Sequence, residues 1–133
     1  DFKAFDRSKL DEYSKQAKEL YGSTPEYKEM EEKQKNRSEK DEKILADRFM
    51  LLFKEAGEIK NCDPASADAQ NLVKRIQDYI TENLYTCTNK ILRGLGKMYS
   101  GGGDFTSNID AYGGEGTAAF VANAIEIYCN NAE

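Results

Sequence analysis

The sequence predicts an all-α domain, and three observations carry that reading: apolar residues recur at helical spacing along nearly the whole chain, capping residues precede the periodic runs, and no run alternates as a strand does. With 133 residues, 39% of them hydrophobic, the chain is the size of one compact domain that needs no disulfide or metal staple. The first periodic run follows Phe5-Asp6, sets Leu10, Tyr13, Ala17, Leu20 and Tyr21 at helical spacing and stops at Gly22. Thr24-Pro25 restarts the pattern, threonine as N-cap and proline in the first turn where its missing N–H costs nothing, so that Tyr27 and Met30 begin a second, short helix. Over residues 28–43, 12 of 16 side chains are charged, six of each sign, the composition of a solvated helix or a mobile segment. Ser38 with Asp41 makes a capping box for a helix that buries Leu45, Phe49, Leu52 and Ala56 and ends at Gly57. Asp63-Pro64 opens a fourth helix carrying Leu72, Val73, Ile76 and Ile80 and ending near Asn83, and Leu84, Thr88, Ile91, Leu95 and Met98 form a fifth stripe. The Gly101-Gly102-Gly103 loop leads into a short helical turn over residues 108–112 and a last amphipathic helix with Phe120, Val121, Ala124, Ile125 and Tyr128. Five main helices plus short ones, with no repeat and no linker, make a single domain.

Composition narrows the function. The chain has no histidine, which removes the usual general base, the commonest zinc ligand and every Ser-His or Cys-His nucleophile pair. Cys62, Cys87 and Cys129 contain no Cys-x-x-Cys pair and read as reduced, mostly buried thiols. All 19 basic groups lie in residues 1–97, balanced there by 19 acidic ones, and the net charge of −5 sits entirely in the last quarter. Gripping nucleic acid takes a lysine and arginine stripe, so this domain is not expected to bind DNA directly. No apolar run spans a bilayer and the start is neither a signal nor a transit peptide, which places the chain in the cytoplasm. Gly96-Lys97 fails as a phosphate loop, with Ile91 and Met98 at the positions that need glycine and a hydroxyl, and residues 104–110 lack the acid spacing of a calcium loop. No metal or cofactor is expected, and Asp110 is read as a hydrogen-bond acceptor near a helix start.

Two features exceed the needs of a plain bundle. Gly94 and Gly96 lie inside a strongly periodic helix, where each costs up to about 1 kcal/mol relative to alanine, so something approaches that helix closely: another helix or a ligand. The eight tyrosines and six phenylalanines, several in the weakly hydrophobic first third, suit core filling and also large amphipathic ligands.

Gly94-Leu95-Gly96-Lys97-Met98-Tyr99, the stretch from Asp104-Phe105 to Ile109-Asp110, Gly116 and the apolar positions from Phe120 to Ile125 resemble the C-terminal half of the TipAS antibiotic-recognition domain family. Phe2-Lys3-Ala4-Phe5, Asp11-Glu12-Tyr13 and Tyr21-Gly22-Ser23-Thr24-Pro25-Glu26-Tyr27 resemble its opening segment. The resemblance implies a globin-like helical fold with a cleft for thiopeptides or other bulky drugs. It also implies the effector part of a MerR-type transcriptional regulator, a homodimer that touches DNA only through an N-terminal helix-turn-helix domain that this sequence lacks.

The residues expected to line such a cleft are Gly94, Leu95, Met98 and Tyr99, then Phe105 and Ile109, with Tyr21 or Tyr27 from a lid and Phe49, Phe53 and Phe120 as walls. In the thiopeptide-binding member a cysteine before the Leu-Gly-x-Met-Tyr motif attaches the drug covalently, whereas this chain has Gly94 there. Cys87, the candidate thiol, stands seven residues earlier, two helical turns away, on nearly the same face but about 10 Å along the axis. Reversible binding follows. Residues 1–43 are poor in apolar anchors and are expected to form a mobile lid, while 44–133 form the helical core. A stand-alone drug-sequestering protein is the alternative, and an enzyme is disfavoured.

Overall fold

The computed structural model describes residues 24–131, which form six α-helices and, among the described residues, no strand. They are α1 (Pro25–Gln34), α2 (Glu39–Ile59), α3 (Ala67–Asn83), α4 (Asn89–Tyr99), α5 (Asp104–Gly113) and α6 (Thr117–Asn131). The helix expected over residues 5–21, with Tyr21, lies outside the described residues.

Local chemistry sets most of the boundaries. Thr24 caps α1 by accepting from the Tyr27 N–H, and Ser38 and Asp41 close a reciprocal capping box on α2 at 3.1 and 3.0 Å. Three expectations change. Gly57 does not stop α2, which runs through it to Ile59. The α3 N-cap is Ser66 rather than Asp63, because the Asp63 carboxylate turns back to accept from the Ala65 N–H at 2.8 Å and its carbonyl accepts from Ser66, leaving Asp63-Pro64 in a turn ahead of the helix. The short turn expected at residues 108–112 is a full helix from Asp104, anchored where the Thr106 hydroxyl donates to the Tyr99 carbonyl at 2.6 Å and accepts from Gly102 N–H at 2.9 Å.

Helices α2, α3, α4 and α6 surround the core, with α4 packed along α6 and α2 packed along α5. Buried apolar side chains run from Met50 to Cys129, with Phe53, Ile76, Ile80, Leu92, Ile109 and Ile125 sealed from solvent. Asp110 behaves as the sequence reading expects, its carboxylate accepting from the Ala118 N–H at 2.9 Å in the first turn of α6. Helix α1 contributes no buried residue and packs only weakly on the others.

The α2–α5 crossing is the tightest contact in the fold. A Cβ on Gly57 would collide with the carbonyl oxygen and Cα of Gly113, so both positions have to stay bare for the two backbones to meet. Lys60, one turn on, donates to the carbonyls of Gly113 at 3.4 Å and Glu115 at 2.9 Å and so holds the end of α5 in place. Replacing Gly57 by alanine forces the helices apart and is expected to destabilise the domain by about 1–3 kcal/mol or more, measured as a lower midpoint in urea unfolding.

Candidate functional site

Helix α4 is where the sequence concentrates its signals. Thr88 caps it through a bond from the Ile91 N–H at 3.2 Å, and Leu92, Gly96 and Tyr99 form its buried side. At about 100° per residue, Gly94, Met98, Ile91 and Leu95 fall within roughly 100° of arc beside that buried side. Ile91 and Leu95 are half-buried, Met98 is 43% exposed, and Gly94 is exposed. A strip of apolar surface thus runs along α4 at the edge of the core.

The two glycines of α4 have different reasons. A Cβ on Gly96 would stand 3.0 Å from Ile125 Cγ2, so that position is bare to let α6 approach. Among the described residues, nothing lies within 4 Å of a Cβ placed on Gly94. Helix packing accounts for the first and not for the second.

An aromatic column links this strip to the rest of the domain. Phe49 stacks on Tyr79 at 5.6 Å and meets Phe53 edge-on at 5.1 Å; Phe53 meets Tyr99 edge-on at 5.3 Å, and Tyr99 lies 6.3 Å from Phe105. The ends, Tyr79, Phe49 and Phe105, are half-buried and the middle is sealed. Tyr79 donates to the Leu45 carbonyl at 2.6 Å, and burial raises the phenol pKa of both Tyr79 and Tyr99 and keeps them protonated.

Gly94, Leu95, Met98, Tyr27, Phe49 and Phe105 therefore reach the surface, whereas Phe53, Tyr99, Ile109 and Phe120 sit inside the core and back the surface residues. Two shallow grooves lie elsewhere, one of about 330 Å³ between α2 and α3 beside Glu55 and Arg75, and one of about 400 Å³ beside Lys74 and Tyr128. Among the described residues no group of His, Cys, Asp and Glu is placed to hold a metal ion, and no helix is long and apolar enough to cross a membrane.

A model of the TipAS antibiotic-recognition domain matches residues 13–128. The chain belongs to the TipAS family. It is 34% identical over 125 residues to the HTH-type transcriptional activator mta of Bacillus subtilis, covering 91% of this chain and 46% of mta. It is 30% identical over 134 residues to the HTH-type transcriptional activator TipA of Streptomyces coelicolor, covering 93% and 49%. The chain thus spans about half the length of the curated relatives it matches. The solved structure of TipAS from Streptomyces lividans in complex with nosiheptide aligns with a TM-score of 0.78 and 26% identity, over 92% of this chain and 86% of that one. The TipAS fold is therefore the fold of this chain.

In this TipAS-family domain Cys87 does not occupy the geometry expected of it. The stripe from Leu84 predicts one helix through Cys87, but α4 begins at Asn89, and Cys87 sits in the connection ahead of the cap rather than two turns below Gly94. That connection is pinned: the Cys87 N–H donates to Thr81 Oγ1 at 3.1 Å, and Gln77 Nε2 donates to the Cys87 carbonyl at 2.9 Å and to Asn89 Oδ1 at 2.8 Å while Gln77 Oε1 accepts from the Tyr128 hydroxyl. The Cys87 thiol is 5% exposed, and burial, with the nearby Cys129, pushes its pKa up to about 11. Both features work against a reactive thiolate at this position. The sequence reading missed the Gln77 network, whose partners lie 10 to 51 residues apart along the chain.

Two measurements check this account. Gly94→Ala is expected to stabilise the domain by about 0.5–1 kcal/mol in urea unfolding, as an exposed mid-helix replacement does, whereas Gly96→Ala costs about 1–3 kcal/mol through overpacking against Ile125. In timed alkylation of the native protein at neutral pH, the half-buried Cys62 is expected to react at least about ten-fold faster than Cys87.

Proposed function

We propose that the chain is the drug-sensing effector part of a MerR-type transcriptional regulator. It takes a thiopeptide-like or comparably bulky amphipathic compound, without covalent attachment, over the open strip of α4. The observation that carries this reading is Gly94, an exposed helix glycine with free space above it, bordered by Leu95 and Met98. Family membership supports it, as does the likeness to TipAS, whose solved structure holds nosiheptide. The absence of a thiol at Gly94 and the inert setting of Cys87 favour reversible binding. Binding rather than turnover is the role, DNA contact and dimerisation belong to other parts of the regulator, and the cytoplasm is the compartment. The segment of residues 1–43 acts as the lid. Phe49 and Phe105 border the ligand, and the lid brings Tyr27, with Tyr21, against it.

The test uses nosiheptide as the probe. Micromolar drug is expected to raise the melting temperature by several degrees, since a ligand that binds only the folded state stabilises it by about 2.7 kcal/mol at 100 times its Kd. Hydrogen exchange within residues 1–43 falls on binding, and intact mass shows no adduct on the wild-type chain. Gly94→Cys is expected to acquire a stable adduct, and Gly94→Ala to bind more weakly despite its higher stability. No melting shift with nosiheptide or with other bulky hydrophobic drugs would overturn the reading.

A further inference from the structure

Helix α4 carries two residues that lower helix stability and that no packing contact demands. Gly94 is one, exposed at mid-helix with no described atom within 4 Å of a Cβ placed there. Lys90 is the other. It stands second in the helix, in a first turn without an acidic residue, so its charge lies at the positive end of the helix dipole. Lys90 is exposed, and no hydrogen bond or ion pair joins it to any described residue.

The two share a face. At about 100° per residue, Lys90 falls about 40° and Lys97 about 60° to one side of Gly94, while Met98 and Ile91 fall about 40° and 60° to the other. Along the axis Lys90 stands about 6 Å before Gly94 and Lys97 about 4.5 Å beyond it. Gly94 is thus a bare floor between a pair of lysines and an apolar margin. The acidic last quarter of the chain does not neutralise that pair. Of the three cations on α4 it engages only Arg93, which donates to Asn130 Oδ1 at 2.7 Å and lies 3.7 Å from the Glu126 carboxylate. Lys97, exposed like Lys90, has no partner among the described residues.

We infer that Lys90 and Lys97 select the charge of the ligand: the margin of Ile91, Leu95 and Met98 takes the apolar face of an aromatic compound, and the two ammonium groups take a carboxylate, sulfonate or similar anionic group on its edge, above Gly94. An anion there is drawn by two charges and offsets the unfavourable placement of Lys90 at the start of the helix. This rests on the drug-binding reading and narrows it to amphipathic compounds that carry an acidic group.

The experiment titrates the 133-residue chain with two fluorescent probes of one ring system, anionic 8-anilinonaphthalene-1-sulfonate and neutral N-phenyl-1-naphthylamine. Wild type is expected to bind the sulfonate at least about ten-fold more tightly at about 20 mM salt, a margin that shrinks at about 500 mM. Lys90→Gln/Lys97→Gln is expected to weaken the sulfonate by about five-fold or more and to leave the neutral probe and the urea midpoint unchanged. Met98→Gln weakens both probes. Lys74→Gln, at the groove beside Tyr128, alters neither. Equal affinity of the two probes for wild type, a sulfonate preference that survives in the double variant, or one lost in Lys74→Gln would each overturn the assignment. Nosiheptide separates the two readings: if it raises the melting temperature of wild type while the probes show no charge preference, drug binding stands and the lysine pair falls. If neither nosiheptide nor a probe binds, both fall.

Discussion

The domain is organised around a core that closes without its first described helix. Among the described residues, every sealed apolar side chain belongs to the α2–α6 unit, and the aromatic column from Tyr79 to Phe105 crosses that unit. Helix α1 buries no residue, and its Glu29 and Lys33 meet the chain between α3 and α4 through hydrogen bonds to Thr86 and Thr81. The α2–α6 unit supplies the buried apolar surface that stabilises the domain.

Helix α4 divides its circumference between the two tasks. Leu92, Gly96 and Tyr99 lock it onto α6 and the aromatic column, while Ile91, Leu95 and Met98 leave an apolar margin at the surface. Gly96 and Gly94, two residues apart, are bare for opposite reasons: one because a neighbour fills the space, the other with the space open. A helix held this firmly on one side presents the other with little freedom to rearrange, which suits recognition of a large, rigid compound.

Much of this was legible in the sequence because it is local. The Thr24 and Ser38 caps, the stripes of α2, α3 and α6, and the role of Asp110 follow from residue type and spacing over a turn or two. Misreadings arose where a long-range contact overrode a local signal. Gly57 looks like a helix stop but is bare because Gly113 lies against it, from more than fifty residues away. Leu84 and Thr88 fall on the periodicity of α4, yet the Gln77 and Thr81 bonds hold the intervening chain as a separate connection. The charged run at residues 28–43 reads as solvated, and only the empty last turn of α3 reveals that one face of it is engaged. Of the residues expected to meet ligand, Gly94 and Met98 lie at the surface of α4, whereas the depth of Phe53, Tyr99, Ile109 and Phe120 is a matter of packing that no motif encodes.

The scarcity of apolar burial beneath α1 also has a thermal consequence. Heat capacity changes on unfolding arise chiefly from newly wetted hydrocarbon, which the α2–α6 unit holds in abundance and to which α1 contributes no buried residue. The stability of the α2–α6 unit should therefore trace a dome that weakens on both the cold and hot sides.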